Sequence, residues 1–181
     1  MEKEFNYYLI TDPNYYTNDI KLFEKKLNEV LGSKRVDMAC FRDKSSQNYE
    51  ELANVFIKTC KKFNIKKILL NENLELAKKL KCGIHLTSTQ FEKIKEAKEA
   101  NLFTIISCHN EKEIELAIKN SSDAITYSPI FYTPNKGEAK GLEEVKKISK
   151  KYDIKIIALG GIVNEEQIKK IKSFMNVKKT N

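Results

Sequence analysis

Two stretches of the chain carry residue types suited to holding an anion. One runs Ser128-Pro129-Ile130-Phe131-Tyr132-Thr133-Pro134-Asn135-Lys136-Gly137 and continues to Gly141; the other is Leu159-Gly160-Gly161-Ile162. In the first, prolines stiffen the start while Lys136-Gly137 and Lys140-Gly141 leave a cationic flap, the composition of a lid over an anion. In the second, paired glycines let backbone N–H groups approach a phosphate closely, although a Gly-Gly turn alone is a weak signal. Upstream, Cys40-Phe41-Arg42-Asp43-Lys44 alternates so that Arg42 and Lys44 share a side. They either converge as two cations or belong to a surface turn with a local Asp43–Lys44 pair. Ser107-Cys108-His109 supplies a histidine in the pKa range for proton transfer, against the commoner reading of a histidine that packs or caps. Cys108 points away from it along a strand, which argues against a Cys/His nucleophile. Asn71-Glu72 and His85-Leu86-Thr87-Ser88 offer the oxygen ligands of hard cations, but one carboxylate is thin for a metal and Asn-Glu commonly opens a solvated helix.

These residues all fall at the ends of short apolar segments. Strand-like runs are Tyr7 to Thr11, Arg35 to Phe41, Lys67 to Leu70, Gly83 to Leu86, Phe103 to Ser107, Ala124 to Tyr127 and Lys155 to Leu159. Several are almost continuously apolar, as strands covered on both faces should be. Between them, Ile20, Phe23, Leu27, Val30 and Leu31 fall on one helical face, as do Leu52, Val55, Phe56, Cys60 and Phe63. Weaker helical segments span Leu74 to Leu80, Phe91 to Ala100, Lys112 to Lys119, Leu142 to Lys151 and Glu165 to Phe174, with Asn110 and Asn164 at N-cap positions. Repeated βα units predict a (β/α)8 TIM-type barrel in one domain over residues 1–181, and polar residues at the strand ends are where such barrels build their sites. No Gly-x-Gly-x-x-Gly follows a strand, which counts against a dinucleotide fold. With 181 residues the chain is short for a barrel. The eighth βα unit is expected to be reduced or missing, with Met175 to Val177 as a stub, or with a partner or a distorted edge closing the ring.

Composition narrows the function classes. The net charge is +8, but its lysines alternate with glutamates on helical faces and no aromatic-basic signature accompanies them, so nucleic acid is not the expected partner. The apolar runs are too short for a membrane span, and the charged N-terminus lacks the pattern of an export signal; the expected location is the cytoplasm. Cys40, Cys60, Cys82 and Cys108 have no C-x-x-C or His spacing and are expected to be free thiols, mostly buried.

The order Tyr8-Leu9-Ile10-Thr11-Asp12-Pro13, Arg42-Asp43-Lys44, Asn71-Glu72, His85-Leu86, Ser107-Cys108-His109, Ser128-Pro129-Ile130-Phe131 with Thr133 and Lys136, Gly141-Leu142 and Gly160-Gly161-Ile162 resembles the thiamine phosphate synthase and TenI family. The resemblance covers residues 7 to about 170 and implies a (β/α)8 barrel that binds a phosphorylated thiazole. In the synthase branch, a pyrimidine diphosphate ionises with magnesium and the thiazole phosphate nitrogen captures the carbocation. Arg42 and Lys44 would then face the diphosphate with help from Asn71, Ser107 and Lys136 would contact phosphate oxygens, and Thr133, Gly160 and Gly161 would sit around the thiazole phosphate. The family's metal-binding aspartates correspond to Glu72 and Gln90, and the glutamine that precedes the Arg-x-Lys is Cys40 here. The TenI branch moves a proton on a thiazole carboxylate phosphate, with a histidine at the position of His109 as acid/base and no metal. The resemblance therefore implies first a thiazole tautomerase, with His109, Ser107 and Lys136 in the reaction and no cofactor. The alternatives are a thiamine phosphate synthase needing magnesium at a weakened site with Glu72, and a non-catalytic protein that binds the phosphate ligand. Each leaves room for a homodimer.

Overall fold

The computed structural model describes residues 7–134, 136–162 and 164–176. Strands and helices alternate along the chain: β1 (Tyr8–Ile10), α1 (Ile20–Ser33), β2 (Met38–Phe41), α2 (Tyr49–Lys62), β3 (Lys67–Asn71), α3 (Leu74–Leu80), β4 (Gly83–Leu86), α4 (Lys93–Glu99), β5 (Thr104–Cys108), α5 (Glu111–Lys119), β6 (Ala124–Tyr127), α6 (Gly141–Lys151), β7 (Lys155–Ala158) and α7 (Glu165–Asn176). The strands form a 7-stranded sheet in sequence order, and every neighbouring pair is parallel. Each helix is therefore a crossover between adjacent strands, the unit from which a barrel is built.

Strand alternation divides the side chains into two layers. Leu70, Ile84, Leu86, Ile106 and Ile125 point outward and meet Phe23, Phe56, Ile94, Ile114 and Ile148 of the helices in one large core. Phe41 of β2 is wedged between the first two helices, its ring centroid 5.7 Å from Phe23 and 5.6 Å from Phe56. On the other side of the sheet, Met38, Cys40, Leu69, Ile105 and Ala124 form a separate inner cluster with Tyr8, Ile10, Phe103 and Ile157. Two distinct cores, one per face, explain why the strands read as near-continuous apolar runs.

The sheet is strongly curled. In a flat sheet β1 and β4 would lie roughly 14 Å apart, three strand spacings. Yet Tyr8 Oη of β1 is 3.0 Å from His85 Nδ1 of β4. The inner face is thus concave, and the strand C-termini form the rim of a mouth. Among the described residues no eighth strand is present. Met175 and Asn176, expected as a strand stub, instead end α7, because the apolar spacing of that helix continues through them; Val177 lies outside the described residues. The last turns of α7 return towards the start of the sheet, where Lys172 Nζ lies 4.9 Å from the centroid of the Tyr7 ring. The segment before β2 is also tied to β1: Asp37 Oδ2 accepts from Tyr7 N–H at 2.9 Å, and Met38 N–H donates to Tyr7 O at 3.1 Å. That carboxylate bridge is why β2 begins at Met38 rather than at Arg35.

Candidate active site at the strand C-termini

On the β1–β3 side of the mouth the charged residues are paired. Thr11 Oγ1 accepts from Arg42 N–H at 2.8 Å, fixing the turn after β2 to the end of β1. The Arg42 guanidinium reaches Asp12 at 3.3 Å, and Lys44 Nζ lies 2.7 Å from Glu72 Oε1. The local Asp43–Lys44 pair is not formed. Asp43 instead accepts from Ser45 and Ser46, at 2.6 Å from Ser46 Oγ, and those bonds hold its carboxyl below the usual range against the opposing effect of burial. β2 ends at Phe41, so Arg42 and Lys44 reach the rim from the turn after it and not by strand alternation, each with a carboxylate neighbour.

At the end of β3, Asn71 donates its side-chain N–H to His85 O at 3.0 Å, and Glu72 N–H donates to the same carbonyl at 3.0 Å. Glu72 adopts φ 64°, the left-handed bend that turns its carboxylate away from the strand line. Gln90 occupies its neighbourhood, donating to Glu72 O at 3.2 Å and accepting from Thr87 N–H at 3.1 Å. Both ends of the amide are thus engaged with protein partners, the oxygen by Thr87 and the nitrogen by Glu72 O. Among the described residues no group of three or more His, Cys, Asp or Glu side chains is arranged to hold a metal ion.

The inner wall carries a polar network that the sequence did not announce. His85 is 4% exposed and Thr126 is fully buried. His85 Nε2 is 3.2 Å from Ser107 Oγ and 3.4 Å from Thr126 Oγ1, Thr126 Oγ1 is 3.3 Å from Ser107 Oγ, and Tyr8 closes the network at Nδ1. Burial, helped by the Arg42 charge, pushes the His85 imidazole down to about 4, with Glu72 opposing. Burial also raises the Tyr8 phenol well above its ordinary value. Cys40 below it is fully buried, its thiol pushed up to about 12 chiefly by desolvation, so it is no nucleophile. Tyr8 enters the sequence reading only as the first residue of a family-like motif, with no role of its own, and Thr126 does not enter it. Their only signal is register: with His85 and Ser107 they occupy inward positions of their strands.

His109 follows β5 and leads into α5. Asn110 caps that helix by accepting from Glu113 N–H at 3.0 Å, and Glu113 reaches back to accept from His109 N–H at 2.7 Å. The pair resembles a capping box, except that Glu113 takes the N–H of the residue before the N-cap and binds Asn110 through its side-chain N–H. It fixes the backbone of His109 while the ring binds across to the next strand. His109 Nδ1 is 3.1 Å from Ser128 O, and since a carbonyl only accepts, Nδ1 is the nitrogen that carries the proton in the neutral ring, which leaves the Nε2 lone pair free in that form.

The two loops first singled out for anion binding pack on one another. Ile130 N–H donates to Leu159 O at 2.9 Å and Phe131 N–H to Gly160 O at 3.1 Å. Gly160 and Gly161 have φ 96° and 68°, and a Cβ on Gly161 would lie 2.5 Å from Tyr132 O. The glycines are thus required by loop packing as well as by backbone angle. Among the described residues no carbonyl takes the N–H of Gly160 or Gly161. Thr133 Oγ1 donates to Phe131 O at 3.1 Å, while Lys136, whose N–H donates to Thr133 O at 3.2 Å, has an exposed side chain at the outer end of the flap. The flap closes on itself through Lys140 N–H to Pro129 O and Gly141 N–H to Ile130 O. The mouth thus gathers Arg42, Lys44, Asn71, Glu72, Ser107, His109, Thr133, Gly160 and Gly161 from the ends of β2, β3, β5, β6 and β7, with Lys136 furthest out.

Comparison with known proteins gives this mouth a context. Residues 7–175 match the family model described as thiamine monophosphate synthase. A protein of Aquifex aeolicus named putative thiamine-phosphate synthase 2 is 32% identical over 165 residues, covering 88% of this chain and 86% of that protein. A thiamine-phosphate synthase of Prochlorococcus marinus is 30% identical over 173 residues; the match covers 93% of this chain but 47% of that longer protein. Among solved structures, a thiamine phosphate pyrophosphorylase from Pyrococcus furiosus superposes with a TM-score of 0.78 at 21% identity, over 93% of this chain and 81% of that one, a likeness of fold.

Proposed function

The chain belongs to the thiamine monophosphate synthase and TenI family, and from that premise we propose that it binds a thiazole phosphate at its strand-end mouth and moves a proton on it as a thiazole tautomerase, with His109 as acid/base. The observation that carries this reading is the state of His109. Its Nδ1–H is committed to Ser128 O, so the neutral ring offers Nε2 as a base that can return the same proton. A tautomerisation requires nothing more of the reacting group, and no cofactor. In this reading Ser107, Thr133, Lys136 and the N–H groups of Gly160 and Gly161 hold the phosphate, and Arg42, Lys44 and Asn71 line the opposite rim. A bound anion would compete with Asp12 and Glu72 for those two cations.

The names of the relatives favour a second reading, the transferase. There Arg42, Lys44 and Ser107 would neutralise the charge that develops on the departing diphosphate. Magnesium supplies part of that neutralisation in the synthase branch, and the residues at its positions do not fit it well. Glu72 is a single carboxylate already held by Lys44, and Gln90 is neutral with its amide occupied.

One comparison separates the readings. Interconversion of the thiazole carboxylate phosphate tautomers is expected without metal, with kcat reduced about 10²–10⁴-fold in His109→Ala. Release of diphosphate from the pyrimidine diphosphate and thiazole phosphate, dependent on magnesium and without tautomerisation, would replace this reading with the transferase. Binding of thiazole phosphate by calorimetry with neither reaction would leave a binding protein.

A further inference from the structure

We infer that Tyr8, His85 and Thr126 act as a positioning relay that turns the Ser107 hydroxyl outward as a hydrogen-bond donor to an anionic oxygen of the ligand. The inference rests on the reading of the mouth as a phosphate site and deepens it.

The direction of the relay follows from the chemistry of its members. Nδ1 of His85 lies 3.0 Å from Tyr8 Oη, and Nε2 lies 3.2 Å from Ser107 Oγ and 3.4 Å from Thr126 Oγ1. A neutral imidazole donates from one nitrogen and accepts at the other. A phenol is a far better proton donor than an aliphatic hydroxyl, and its oxygen is a poorer acceptor because its lone pair is shared with the ring. The other partner of the Tyr8 hydroxyl, the buried Cys40 sulfur, is a much poorer acceptor than an imidazole nitrogen, so Tyr8 donates to Nδ1 and Nε2 carries the hydrogen. That N–H points at Ser107 Oγ, and Thr126 Oγ1 also donates to Ser107 Oγ at 3.3 Å. With both lone pairs of Ser107 taken from within the barrel, its own hydrogen has no inward acceptor left. Ser107 is half-buried, whereas His85 and Thr126 behind it are shut off from water. The reversed relay would have Ser107 donate inward to Nε2 and present lone pairs to the mouth, which an anion would repel. Burying three polar side chains here costs desolvation that an apolar inner wall would avoid, and a hydroxyl preset as a donor is a return on that cost.

Two measurements on the whole protein test the relay. His85 and His109 are the only histidines, so a two-bond ¹H–¹⁵N correlation spectrum is assigned by comparison with His109→Ala. The relay requires His85 as the Nε2–H tautomer, while the Ser128 O contact predicts the opposite one for His109; an Nδ1–H tautomer at His85 overturns the relay, whatever the ligand. Calorimetry with thiazole phosphate then compares Tyr8→Phe, Ser107→Ala and the double variant, with thermal unfolding confirming that each is folded. Each single change is expected to weaken binding about tenfold, the worth of one hydrogen bond to a charged group. In the Ser107→Ala background, Tyr8→Phe should have no further effect, because the relay acts only through that hydroxyl. Equal, additive losses in the two backgrounds would mark Tyr8 as a general packing residue and sink the inference. Should thiazole phosphate fail to bind while inorganic phosphate binds with the same coupling, the relay stands and the thiazole reading falls; if neither binds, both fall.

Discussion

A buried histidine with hydroxyl partners leaves a signature in the pH dependence of stability. His85 is held near a pKa of about 4, below the roughly 6.5 of an unfolded histidine. The group stays neutral in the folded protein where the unfolded chain would take up a proton. Its contribution is fully present above pH 6.5 and is lost as pH falls through 6.5 towards 4. Across that window the linkage amounts to about 3 kcal/mol. Urea unfolding between pH 7 and 4.5 should show wild-type stability falling more steeply than that of His85→Gln, which cannot titrate; parallel curves would mean that His85 takes up its proton without leaving the network. The sequence displayed His85 as part of a family-like motif but not its partners. Contact between Tyr8 and His85 depends on how far the sheet curls, a property of the whole strand set that no local pattern encodes. Arg42, Lys44 and His109 were legible because they directly follow apolar strand runs and barrel sites sit at strand ends.

The periodicity of the elements fixes the frame on which the candidate site sits. All seven strand runs and their intervening helices appear where periodicity put them, and shifts at the ends have local causes, such as the Asp37 bridge that delays β2. The Gly160-Gly161 turn has a packing role beside the anion-binding one expected of it. It was read as a phosphate cradle from composition. In the fold it also admits the carbonyls of Phe131 and Tyr132, which a side chain would strike. Gly161→Ala is therefore expected to lose about 2 kcal/mol or more, combining an L-residue at positive φ with the contact to Tyr132 O. Gly137 is the matched control: its φ is 73°, and a Cβ there would meet nothing within 4 Å, so Gly137→Ala carries the backbone cost alone. Urea midpoints measure the difference, and equal losses for the two variants would show that the loop after β6 moves aside freely.

At the scale of the whole molecule, a sheet ordered β1 to β7 has strands of unequal security. Those in the middle pair on both sides and are covered on both faces, as the fully buried β2, β4 and β6 show. β1 and β7 each pair with one strand, and their residues are only partly buried, with Lys155 exposed. Opening of an edge strand releases fewer contacts than opening of a central one, so its amides exchange at lower cost. Yet β7 leads into Gly160 and Gly161, and the loop after β6 rests on that turn. The proposed ligand would thus bind across the least secure edge of the sheet and stabilise it by mass action. Hydrogen exchange should find the amides of β3 to β5 slowest and those of β7 among the fastest. Saturating thiazole phosphate should slow exchange in Ile156 to Ile162 and in Ser128 to Phe131 while leaving β3 nearly unchanged. Protection of β7 that is already high without ligand and rises with protein concentration would instead place a second copy of the chain against that edge. Uniform slowing of every strand would mean that the sheet opens as one unit, and the division between a firm centre and a ligand-dependent edge would be wrong.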